Sequence, residues 1–133
     1  MGLICYKNKF LFNKNQKSTK KERKEKEMNT TVTDSVLYVG ADDTTLDLFE
    51  SQYVVPEGVS YNSYVILDDE ITIMDTVDKR ASEEWFANLE NVLGDKKPSY
   101  LVVSHLEPDH AANIQRVAEK YPEMKIIRNA KTF

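Results

Sequence analysis

At 133 residues with a formal net charge of −4, the chain has room for one domain at most. The charge is uneven: residues 1–27 hold nine of the 18 basic side chains and three of the 22 acidic ones, so residues 28–133 carry nine basic and 19 acidic groups, a net −10. An acidic body repels phosphate backbones and argues against nucleic-acid binding, while a lone cysteine, Cys5, excludes an internal disulfide and fits a reducing cytoplasm.

The opening MGLICYKNKFLF does not make a secretory signal, because Lys7 and Lys9 interrupt its apolar run. Tyr6 stands where a myristoylation site needs Ser or Thr. No stretch reaches the roughly 20 apolar residues that span a bilayer, so no membrane partner is expected. The segment NKNQKSTKKERKEKE is too charged to bury surface against its ordering entropy. Residues 1–27 are therefore expected to be a basic, disordered extension, and residues 28–133 the folded body.

Val36 to Val39, ending at Gly40, reads as a short strand, and Leu48 to Val55 as a second, closed by Pro56-Glu57-Gly58. Tyr64 to Leu67 and Ile71 to Met74 flank the acidic turn Asp68-Asp69-Glu70 and predict an antiparallel hairpin. Tyr53, Tyr61 and Tyr64 are expected to pack in the sheet. A helix follows: Ala81, Trp85, Leu89 and Val92 fall on one stripe, widened by Phe86 and Leu93, with Glu83 and Glu84 near its positive end and Gly94 as its stop. The apolar strand Tyr100 to Val103 comes next and runs into Ser104-His105. Ile114, Val117, Ala118 and Tyr121 predict a second helix, and Met124 to Ile127 a last strand. The order predicts an α/β (α+β) layering of sheet against helices, antiparallel first and parallel later.

The chemistry gathers where that apolar strand ends. His105-Leu106-Glu107-Pro108-Asp109-His110 contains both histidines of the chain, with two carboxylates between them. The carboxyl end of a buried strand, before a helix, is where open α/β folds collect functional groups. Pro108 pushes Glu107 toward extended backbone. Extended alternation would then bring His105, Glu107 and Asp109 to one pocket, with His110 starting the helix. Asp109 is also placed to cap that helix. Two imidazoles and two carboxylates are a harder donor set than thiolate zinc sites, and suit iron, manganese or zinc.

The run His-x-Glu-x-Asp-His resembles the first metal motif of flavodiiron proteins (A-type flavoproteins). The segments LDLFESQYVVPEGVSYNSYVILDDEITIMDTVD, SYLVVSHLEPDHAANI and NAKTF are similar to that family as well. The resemblance covers roughly residues 28–133 and implies part of a metallo-β-lactamase-like αββα sandwich, about its first sheet layer with covering helices. Hydrolases of that superfamily carry His-x-His-x-Asp-His and bind zinc; Glu107 in place of their second histidine points to the diiron branch. By position, His105 and Glu107 would ligate one iron and Asp109 the other. His110 falls where many, but not all, members ligate the second iron, and Asp75 resembles the strand-end aspartate that supports the site without ligating.

The family implies two non-haem irons, an FMN-bearing flavodoxin-like domain, dioxygen or nitric oxide as substrate, a rubredoxin-like or flavin electron donor, and a head-to-tail homodimer. Its remaining ligands, two histidines and a bridging aspartate, would lie past residue 133, and no phosphate-cradling glycine loop occurs among the four glycines. The 133 residues by themselves are thus expected to bind no FMN and to be inactive. The alternatives are a hydrolase-type domain with one substituted ligand, or a non-catalytic module that binds metal or protein.

Overall fold

The computed structural model describes residues 31–130; the expected disordered extension at 1–27 lies outside them, as do residues 131–133 of the NAKTF segment. In chain order the strands are β1 (Val36–Tyr38), β2 (Ala41–Asp43), β3 (Leu48–Phe49), β4 (Tyr53–Val54), β5 (Val59–Tyr61), β6 (Tyr64–Ile66), β7 (Thr72–Met74), β8 (Tyr100–Val103) and β9 (Lys125–Arg128). A 3-10 turn, Lys79–Ala81, leads into helix α1 (Ser82–Leu93); α2 (Pro108–Ala111) and α3 (Ile114–Lys120) separate β8 from β9.

Five strands form the main sheet in the order β1-β6-β7-β8-β9. β6 pairs antiparallel with β1 and with β7, whereas β7–β8 and β8–β9 are parallel, each joined through helices. The predicted change from antiparallel to parallel pairing is therefore present. The acidic turn is tightened by Asp68, whose carboxylate accepts the Asp69 N–H at 2.8 Å.

Register sets the core. Leu37, Val65, Ile73, Leu101 and Ile126 share one row across the sheet. Val65, Ile73 and Leu101 of that row are fully buried, in one cluster with Trp85, Phe86, Leu89 and Leu93 of α1 and Val117 of α3. The helical stripe read from spacing is the buried one, and Trp85 is a core residue. Gly94 ends α1 at φ 55°, a left-handed conformation that glycine adopts without a Cβ clash, and its N–H reaches the Glu90 carbonyl at 2.9 Å. The next rows, with side chains on the other face, include Tyr38, Tyr64, Met74 and Val102, all half-buried. Tyr38 and Tyr64 meet there edge to face, with centroids 5.6 Å apart.

Two expectations need correction. Leu48 to Val55 is two strands, because Glu50 (φ 51°) and Ser51 (φ 59°) turn the chain back on itself. Tyr53 on that hairpin is 59% exposed and does not pack in the sheet, whereas Tyr61 is buried. A further two-stranded sheet, β2 with β5, has no apolar signature in β2, which reads Ala-Asp-Asp. Its Asp43 is buried nonetheless, because Arg80 Nε donates to its carboxylate at 2.6 Å and Thr45 Oγ1 at 2.7 Å. Arg80 first and Thr45 second hold the Asp43 carboxyl down at about 2.

Candidate metal centre

The site forms where β7 and β8 end side by side. Beyond Met74 the chain enters Asp75 at φ 57°, a conformation that costs a non-glycine residue of order 1–3 kcal/mol unless its surroundings hold it. They do. The Asp75 N–H donates to the Val102 carbonyl at 2.8 Å, continuing the parallel ladder, and its own carbonyl accepts from Ser63 Oγ at 2.9 Å. Its carboxylate accepts from the Ser104 N–H at 2.7 Å and Ser104 Oγ at 2.5 Å. Ser63 Oγ in turn accepts from Trp85 Nε1 at 2.9 Å, so a buried chain ties the core tryptophan to Asp75.

Opposite Asp75, the chain leaving β8 passes Ser104 and His105 and reaches Glu107 at φ −71°, ψ 151°, extended as a residue before proline should be. Pro108 then occupies the first turn of α2, as in many helix starts. This turn breaks the alternation expected through residue 109. The donors that converge are His105, Asp109 and His110, whose ligand-type atoms lie within 4.8 Å of one another. The imidazole centroids of His105 and His110 are 4.4 Å apart. His110 presents Nε2 to Asp109 Oδ2 at 3.6 Å and Nδ1 to Asp75 Oδ2 at 3.4 Å.

Glu107 stands apart from that trio: its carboxylate is 65% exposed and lies 3.7 Å from His105 Nδ1. Asp109 does not cap α2; the cap position is Glu107, with no side-chain hydrogen bond. Two donor atoms in the cluster, Asp109 Oδ1 and His110 Nδ1, are buried without a hydrogen-bond partner among the described residues. Buried polar atoms are nearly always satisfied; His110 Nδ1 has the Asp75 carboxylate 3.4 Å away, which leaves Asp109 Oδ1 as the exception within the donor cluster.

Two residues that sequence reasoning passed over hold this loop. Thr76, fully buried, donates both its N–H (2.9 Å) and its Oγ1 hydroxyl (2.7 Å) to the carbonyl of His110. Asn113 donates its side-chain amide to the Val77 carbonyl at 2.8 Å and its N–H to Thr76 Oγ1 at 3.3 Å. Tyr61 lies in the same end of the core; burial first, then Asp78 and Asp43, push its hydroxyl up to about 12, which keeps the phenol neutral.

The chain is similar to nitric oxide reductase from Moorella thermoacetica, at 33% identity over 103 residues, 77% of this chain and 26% of the relative. Among solved structures it superposes on the flavodiiron protein of Giardia intestinalis (TM-score 0.69, 30% identity, 77% of this chain and 25% of that one). It matches rubredoxin oxygen:oxidoreductase of Desulfovibrio gigas equally well (TM-score 0.69, 34% identity, 73% and 24%). The chain belongs to the flavodiiron protein family. No protein-family profile matches it. It spans about a quarter of the length of these flavodiiron relatives. A metallo-β-lactamase of Pseudomonas aeruginosa shares the fold alone, at TM-score 0.53 and 14% identity, over 77% of this chain and 42% of that one. The partial α/β sandwich expected from the sequence is thus the architecture found. Among the described residues no helix is long and apolar enough to cross a membrane.

Proposed function

We propose that this flavodiiron chain supplies part of a non-haem diiron centre, in an oxidoreductase that reduces dioxygen to water or nitric oxide to nitrous oxide. What carries the reading is the three-residue donor cluster of His105, Asp109 and His110, in which Asp109 Oδ1 is buried without a hydrogen-bond partner among the described residues. Imidazole and carboxylate donors fit iron, and their mix fits a metal that must keep open positions for a small oxidant. His105 and Glu107 would hold one iron and Asp109 the second, with His110 joining Asp109. Glu107 faces solvent, so its side chain is free to turn toward its iron.

When bound, the two irons would supply a site for the diatomic oxidant and the electrons that reduce it. The protein's part is to fix the ligands. Metal-bound histidines ordinarily give their other ring N–H to a carboxylate, which sets the tautomer and raises basicity. Asp75, held by Ser104 and 3.4 Å from His110 Nδ1, stands where that carboxylate belongs and leaves Nε2 to face the cluster. In this reading FMN is carried by another part of the full-length protein and fed by a rubredoxin-like or flavin donor, with head-to-tail homodimers passing electrons between subunits. The setting is cytoplasmic, as the single cysteine allows.

Anaerobic titration of the chain with Fe(II), and with Co(II) as a coloured substitute, tests the assignment. The wild type should bind both. Asp109→Ala and His110→Ala should each weaken binding by about tenfold or more, as should Glu107→Ala. Binding that is unchanged in all three variants would remove the ligand assignment, and loss only in the first two would remove Glu107 from it.

A further inference from the structure

The ligand run has little of its own to hold it. α2 is four residues long, has no side-chain cap and buries none of its residues. A single turn of that length is far below the ~12–15 residues at which a helix becomes even marginally stable in water. Yet His110, its third residue, keeps its ring 4.4 Å from that of His105 and 3.4 Å from Asp75. Something outside the turn must fix it.

We infer that Thr76 is a positioning residue for the metal centre: its hydroxyl and N–H clamp the His110 carbonyl, and Asn113 locks the clamp, so that β7 aims the His110 imidazole. The inference rests on the metal reading above and extends it to residues that touch no metal. Three consecutive residues after β7 reach three different parts of the ligand loop. Asp75 grips Ser104 just before His105, Thr76 grips the His110 backbone, and the Val77 carbonyl receives Asn113 just before α3. The partners are 29, 34 and 36 residues away along the chain. Thr76 is fully buried and Asn113 is 3% exposed, so water does not compete for these bonds. The carbonyl of His110 accepts two hydrogen bonds from this one residue, which anchors the α2 backbone at the point where ligand geometry is decided.

Thr76→Val preserves shape and loses the hydroxyl; Thr76→Ser restores it. Two measurements on the full chain separate aiming from general stability: hydrogen exchange of residues 105–112 without metal, and Co(II) affinity with its visible absorption. Thr76→Val should keep cooperative unfolding, exchange faster at 105–112 than in α1, bind Co(II) about 10–100-fold more weakly and shift its absorption bands, with Thr76→Ser close to wild type. Asn113→Ala keeps the N–H that meets Thr76 Oγ1 but removes the side-chain bond to the Val77 carbonyl that holds it in place. It should therefore move the same readouts in the same direction, and it keeps the test open if Thr76→Val fails to fold. Variants with wild-type exchange at 105–112 and wild-type Co(II) spectra would overturn the clamp. A wild-type chain that binds neither Co(II) nor Fe(II) would overturn the metal reading itself and, with it, the purpose assigned to the clamp.

Discussion

The carboxyl ends of β7 and β8 and the β3–β4 hairpin are built on opposite terms. At the strand ends, polar groups are matched across sequence separations of 29 to 37 residues: both Asp75 carboxylate oxygens, the Thr76 N–H and hydroxyl, and the Asn113 N–H and side-chain amide are all hydrogen-bonded. The hairpin closes on itself through Gln52 N–H to the Phe49 carbonyl and Val55 N–H to the Asp47 carbonyl, and leaves Leu48, Tyr53 and Val54 in the open. One region is fixed by the rest of the molecule; the other is fixed mainly by its own turn. The densely bonded region is the one that carries the proposed metal centre, which is the arrangement a preorganised site would require.

The contrast is sharpest in the layer that supports the strand ends. Leu89 of α1 is fully buried beneath the main sheet, and Leu89→Ala should cost about 2–5 kcal/mol through lost burial and a residual cavity. Urea unfolding followed by circular dichroism measures this. A cost below about 1 kcal/mol would mean that α1 is not part of the cooperative core, and that the strand ends lack the rigid base argued for them.

An intermediate effect is expected at the Asp43–Arg80 pair, which ties β2 to the turn before α1. The folded Asp43 carboxyl titrates at about 2, below its ordinary 3.8, so its stabilisation is fully present above about pH 4 and is lost as pH falls through 2. Arg80 is 51% exposed, so water screens the pair and salt should weaken it further. Asp43→Asn should flatten the fall in stability between pH 4 and pH 2. An equally steep fall in the variant would assign the acid sensitivity to other carboxylates.

How much of this was legible in the sequence follows the range of the interactions. The β6–β7 hairpin and α1 announce themselves through periods of two and 3.6, because their apolar faces meet one continuous core. β2 does not, since Asp42 and Asp43 carry no strand signal and the cause of Asp43 burial, Arg80, lies 37 residues away. The break at Glu50 and Ser51 was hidden because neither is the glycine or asparagine that usually marks left-handed backbone. At the site, the run from His105 to His110 stood out as a donor cluster, but extended alternation grouped His105, Glu107 and Asp109, whereas the turn at Pro108 brings His110 in and leaves Glu107 apart. Asp75 came from resemblance alone. Thr76 and Asn113 were not legible, because a buried hydroxyl and amide acquire meaning only when distant strand ends are brought together.

The smallest effect should come from the hairpin, where Val54 is 76% exposed and pairs across the turn with Leu48. Val54→Thr keeps the β-branched shape that strands favour and removes an apolar surface that folding does not bury. Its stability should stay within about 0.5 kcal/mol of wild type, as for other surface changes remote from caps and cores. Any change should be in association instead, because exposed apolar side chains beside unpaired strand edges invite chain-to-chain pairing. Sedimentation velocity over a concentration series, run beside urea unfolding, separates the two. Weaker self-association at constant stability would mark the hairpin as an autonomous feature resting on a rigid body. A loss above about 1 kcal/mol would show that Leu48 and Val54 belong to the same cooperative unit as the strand ends, and the division between the two regions would have to be abandoned.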